Sequence, residues 1–218
     1  MFDLSQPFFV LEMLIFGSVF LMHLMKKNRP LVWLYAAQSA VVVFLLYGSS
    51  LASFSVLLFV GALATFAVKI IFAPYFFQRL IARHQLTFSA STYLNLPITL
   101  VVIAALTALA YAPTFAPFAA LAPQEGSALL LAFATMLLAL FLIVNRKGAI
   151  SQMLGILSLE NAIVSFAFLA GIEQTVPVEL IILFDIAVWV AIASVFASMV
   201  YTRFGTLDVT SLAHLTEE

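Results

Sequence analysis

Apolar runs of about 18 to 25 residues recur along this chain, and a run of that length crosses the roughly 30 Å hydrocarbon core of a bilayer as one α-helix. Such runs can be drawn over 7–25, 30–48, 54–77, 93–112, 127–144, 148–170 and 177–201. With 65% of residues hydrophobic and only 9% charged, and a mean hydropathy of +1.18, the chain reads as a polytopic membrane protein and not as a globular domain. The expected fold is an all-α transmembrane helix bundle of about seven spans, divided into a four-helix part (1–112), an outer interfacial loop (113–126), a three-helix module (127–204) and a cytoplasmic tail (205–218). Met1-Phe2-Asp3 lacks the basic start of a signal peptide, so the first run is expected to be retained.

Basic residues predict the orientation, because Lys and Arg near span ends stay on the cytoplasmic side. Lys26, Lys27 and Arg29 follow the first run, Arg79 and Arg83 the third, Arg146 and Lys147 the fifth, and Arg203 the last; the opposite loops carry Asp3, Glu125, Glu173 and Glu179. The amino terminus is therefore expected outside and the carboxyl terminus in the cytoplasm. Pro7, Pro30 and Pro177 occupy first-turn positions, where a missing N–H costs nothing. Pro74 and Pro97 are expected to interrupt and bend the third and fourth spans. Pro113, Pro117 and Pro123, set among Phe115 and Phe118, predict a loop lying along the outer interface. Ser151 and Gly155, four apart, mark a face for close helix packing.

The chemistry available is narrow. The chain has no cysteine, which excludes disulfides, iron–sulfur ligation and thiol catalysis. His23, His84 and His214 are scattered and make no metal site; nothing resembles a nucleic-acid footprint, and the many phenylalanines read as packing. Inside the spans lie Glu12, Lys69, Glu160 and Asp185. An intramembrane charge costs from about 2.5 to over 10 kcal/mol, so each needs a partner or a role. Glu160 and Asp185 are expected at similar depth, about 15 and 12 Å from the outer side at 1.5 Å per residue, where they could share a proton. Only Ser158, Asn161 and Ser165 offer Glu160 local hydrogen bonding. Lys69, with the helix break at Pro74 beyond it, either joins this polar axis or snorkels to the cytoplasmic interface. Glu12 is expected to reach outer-surface water, and His23 to be interfacial; both are secondary candidates for an ion path.

The chain resembles the membrane subunit called component E of hydrogenase 4 and formate hydrogenlyase-type complexes. The resemblance rests on Leu34-Tyr35-Ala36-Ala37-Gln38-Ser39, Val68-Lys69-Ile70 with Pro74, Gln152 with Gly155 and Glu160-Asn161, Asp185-Ile186-Ala187, and Gly205-Thr206-Leu207-Asp208-Val209. It implies a non-catalytic subunit of the prokaryotic cytoplasmic membrane, in the membrane arm of a complex I-related machine. Its partners would be antiporter-like subunits and a soluble hydrogenase arm, and the [NiFe] centre and iron–sulfur clusters would sit in those partners, with no cofactor in this chain. The last three spans are similar to the small antiporter-type subunit of respiratory complex I, which carries two buried glutamates. Aligning Gly155 and Asn161-Ala162 puts the first of these at Leu157, one turn from Glu160, and the second falls one to two turns from Asp185. Proton or sodium translocation through Glu160, Asp185 and Lys69 is thus implied by likeness of environment. The alternatives are a purely structural assembly subunit and an independent small transporter.

Overall fold

The computed structural model of the chain describes residues 7–53, 59, 63, 65–83, 92–171, 198 and 200–202. These are almost wholly helical: α1 (Pro7–Leu24), α2 (Asn28–Ser53), a π-helical segment (Phe66–Phe72) running into α3 (Ala73–Arg83), α4 (Leu96–Ala110), a 3-10 turn (Pro113–Phe115) with the short α5 (Ala116–Ala119), α6 (Gly126–Asn145) and α7 (Ala149–Leu169). Among the described residues there is no strand; Thr92 and Arg146 make an isolated antiparallel bridge. Helices α1, α2, α6 and α7 are each long and apolar enough to cross a membrane, and α4 makes a fifth if it is joined to Pro113–Ala119, from which it is bent by 48°. The chain thus has the helices of a multi-pass membrane protein. The first part of the third expected span and nearly all of the seventh lie outside the described residues.

Four helices close a ring: α1 packs on α2, α2 on α7, α7 on α6, and α6 back on α1. Helix α4 lies outside this ring against α6, and the π-segment and α3 lie outside it against α2. One end of the ring is filled by Met22, Leu31, Tyr35, Phe77, Leu142 and Leu154, the other by Phe9, Leu129 and Leu169. The outer face is equally apolar: Trp33, Phe44, Val101 and Val144 are all more than 60% exposed. A surface so rich in large apolar side chains faces lipid or other helices, not water.

Two proline expectations change. Pro97 does not bend α4, because the helix starts only at Leu96 and the Asn95 side chain caps it by accepting the Ile98 N–H at 3.0 Å; a proline in the first turn has no hydrogen bond to lose. Pro74 does interrupt its helix, in a different way from a simple kink. The turn before it is π-helical, and the Ala73 N–H reaches Val68 O, five residues back. The missing proline N–H therefore falls at a change of helix type. The 113–126 loop folds back on the ring through Phe115 and Phe118, whose rings lie 4.9 and 5.2 Å from that of Phe133.

The corners after α1 and α6 meet at one end of the bundle. Arg146 donates from its guanidinium to the carbonyls of Met22, His23 and Met25, while Gln78 of α3 donates to Arg29 O. The carbonyls at the end of α1 have no partner within their own helix, so Arg146 both pairs them and sets a positive charge at the negative end of the helix dipole. Burial pushes its guanidinium down to about 10, which leaves it charged at neutral pH.

Gly155 sets the spacing of α6 and α7. A Cβ there would stand 2.8 Å from Ile143 Cγ1 and 3.3 Å from the Ile143 backbone nitrogen. Gly155→Val is expected to destabilise the chain by about 1–3 kcal/mol through overpacking, with Gly155→Ala milder, as read by thermal unfolding in detergent. A valine variant as stable as wild type would mean that the two helices do not approach this closely.

Candidate functional site

A single stripe of polar residues runs along α7. Ser151, Ser158, Asn161 and Ser165 follow one another at spacings of seven, three and four residues, which keeps them on one face of a helix. All are buried, and each meets a different part of the ring. Ser151 contacts Asn28 at 3.5 Å; Ser158 donates to Gln38 Oε1 at 2.9 Å; Asn161 donates to Ser39 Oγ at 2.9 Å; Ser165 donates to Glu12 Oε2. From Ser151 to Ser165 the stripe rises about 21 Å at 1.5 Å per residue, most of the thickness of a hydrocarbon core.

At mid-height an ion pair joins this stripe. Lys69 Nζ lies 2.6 Å from Glu160 Oε1 and 2.9 Å from Asn161 Oδ1. Glu160 is close to the midpoint of α7, roughly 15 Å from either end at 1.5 Å per residue. The Lys69 side chain is 2% exposed and that of Glu160 21%. An ammonium taken out of water is held only if its hydrogens find acceptors and its charge a counter-charge. Here a carboxylate and an amide oxygen from adjacent residues of α7 supply both. The π-segment packs on α2 and reaches α7 through the length of the lysine. Glu160 Oε2, which is buried, has no hydrogen-bond partner among the described residues.

The placement of each expected residue can now be given. Lys69 does not snorkel to the interface; it turns inward to Glu160, because the π-turn and the acceptors on α7 hold it there. Glu12 does not reach surface water. It is fully buried, since it faces the interior of the ring, where Thr135 and Ser165 cover it; nearness to a helix end measures depth and says nothing of facing. His23, in the last turn of α1, is also buried between helices: its ring stacks on Phe141 at 5.0 Å and its Nε2 lies 3.1 Å from Leu138 O. Asp185 lies outside the described residues, and the partner of Glu160 within them is a cation. No three His, Asp or Glu side chains converge among the described residues in a way that could hold a metal ion.

Ionisable residues alone point to Lys69 and Glu160 and miss Gln38, Ser39 and Thr135, while Ser158 and Ser165, expected to serve Glu160, donate instead to Gln38 and Glu12. The seven-three-four spacing of small polar residues in α7 is the signal that locates these. A comparable stripe in α2, Tyr35 with Gln38 and Ser39 one turn on, faces it.

Among known proteins, an uncharacterized protein of Mycobacterium tuberculosis is 34% identical over 127 residues, an alignment covering 58% of this chain and 57% of that protein. The chain thus aligns with little more than half the length of that relative. No family model matches the chain, and no solved structure matches it.

Removing one partner of a buried ion pair leaves an uncompensated charge. Lys69→Met is therefore expected to destabilise the chain by about 3–5 kcal/mol, and the double variant Lys69→Met/Glu160→Gln to recover most of that loss. Denaturation in detergent measures both; a Lys69→Met protein with wild-type stability would mean the pair is not formed.

Proposed function

We propose that this chain is a non-catalytic, multi-pass subunit of a prokaryotic cytoplasmic membrane complex, and that it takes part in ion translocation, of protons or sodium, through its buried polar axis. The reading is carried by one observation: Lys69 and Glu160 form a 2.6 Å ion pair halfway along the buried polar stripe of a largely apolar bundle. Intramembrane ionisable groups are costly and mark ion paths. At this distance a proton can pass from ammonium to carboxylate, and the pair then becomes neutral without any net charge entering or leaving. A proton arriving from outside the pair instead frees the lysine from its partner. Such a site alternates between a closed, balanced state and an open, charged one, which is what coupling to a distant reaction requires. Gln38, Ser39, Ser158 and Asn161 hold the geometry around it.

The parent assembly is proposed from the quoted residues that resemble component E of hydrogenase 4. In that setting the partners are antiporter-like membrane subunits and a soluble hydrogenase arm, and electron transfer in that arm would shift charge along the axis. The [NiFe] centre and iron–sulfur clusters belong to those partners, and Asp185 would extend the path from the last span.

A second reading, assembly alone, is favoured by the cross-helix bonds of Ser158 to Gln38 and Asn161 to Ser39, which hold helices together whether or not an ion moves. Glu160→Gln separates the two. Glutamine keeps an acceptor for Lys69 but cannot take up a proton, so the complex should keep its co-purifying subunits and lose ion translocation, measured in membrane vesicles. Translocation at the wild-type rate would refute the relay and leave the assembly role.

A further inference from the structure

The stripe on α7 ends at a carboxyl group that the Lys69–Glu160 pair does not touch. Glu12 Oε2 receives the Ser165 hydroxyl of α7, and Oε1 lies 3.2 Å from Thr135 Oγ1 of α6. Thr135 Oγ1 is also 2.9 Å from the Leu131 carbonyl, one turn back in its own helix. A hydroxyl has one hydrogen and two lone pairs. If Glu12 were ionised, Thr135 would have to divide that hydrogen between the carboxylate and Leu131. If Glu12 carries a proton on Oε1, the count closes: Glu12 donates to Thr135, Thr135 to Leu131, and Ser165 to Oε2. Among the described residues no basic side chain pairs with Glu12. The ionisable groups on the elements around it are Tyr111 at the end of α4, His23 three turns further along α1, Arg29, Tyr35 and Tyr47 on α2, Glu125 and Arg146 at the two ends of α6, and Glu160 on α7, already balanced by Lys69.

We infer that Glu12 is a second proton-carrying site of this chain, held as a neutral acid by Thr135 and Ser165 at the far end of the α7 stripe. Its O–H would supply or accept one proton at the end of the axis remote from Arg146. This role in translocation rests on the reading of Lys69 and Glu160 given above, whereas the protonation of Glu12 does not.

Infrared spectra of the full chain in lipid bilayers test the site. At neutral pH the protonated-carboxyl C=O region should lose one component, sensitive to H/D exchange, in Glu12→Gln and keep it in Glu160→Gln. Thr135→Val, which removes the acceptor for the Glu12 proton, should move that component to higher frequency. A Glu12→Gln spectrum identical to wild type would overturn the inference. If Glu12→Gln does not fold, an unshifted band in Thr135→Val would do so. Wild-type translocation in Glu160→Gln with the Glu12 component intact would instead remove the function proposed above and leave this site standing.

Discussion

The contact between the Lys69 ammonium and the Glu160 carboxylate, 2.6 Å apart inside a largely apolar bundle, constrains what surrounds it. Neither charge is stable there alone, and the ammonium is held only while its hydrogens find acceptors. Asn161 accepts a second lysine hydrogen and is itself held by Ser39 of α2; Ser158, one turn before, is held by Gln38. The contact of α2 with α7 thus fixes the acceptors, and the close approach of α7 to α6 at Gly155 fixes α7. A change in the ring's packing would reach the ion pair through these few side chains.

The lysine arrives from outside the ring, and its aim depends on an irregular backbone. A π-turn holds one residue more than an α-turn, so side chains on either side of it are rotated by about 100° relative to a continuous helix. Pro74 follows directly and offers no N–H to the carbonyl of Ile70, so the regular ladder is already broken there. The break in this segment and the orientation of Lys69 are consequently one feature. In lipid such a break is tolerated where the freed groups are buried in protein, and here the segment packs on α2 and α3.

Much of the architecture is legible in the sequence, because the length of an apolar run and the position of Pro and Asn caps are local signals. Helices α1, α6 and α7 begin and end within a few residues of where the apolar runs do. Side-chain facing is a different matter. Residue counting gives Glu12 a shallow position and makes His23 a boundary residue, yet both point into the ring, which only the neighbours of α1 decide. The hydropathic pattern gives little help, since the lipid-facing and ring-facing sides of these helices are almost equally apolar. Periodicity of the rare polar residues carries the missing information: the stripe at Ser151, Ser158, Asn161 and Ser165 identifies the buried side of α7 when apolar residues cannot. Arg146 shows the same limit, for a basic residue at a span end reads as a topology signal, and its service to the α1 carbonyls appears only in three dimensions.

The stripe gives α7 three polar levels with different electrical character. Near Ser151 the charge is that of Arg146, already set against the end of the α1 dipole. At Glu160 opposite charges cancel within one contact. At Ser165 there is a carboxyl group with hydroxyls for company. Glu160 and Ser165 are five residues apart, roughly 8 Å of axial rise along α7, so the ion pair and the Glu12 carboxyl are served by different residues of one helix: Asn161 accepts from Lys69, and Ser165 donates to Glu12.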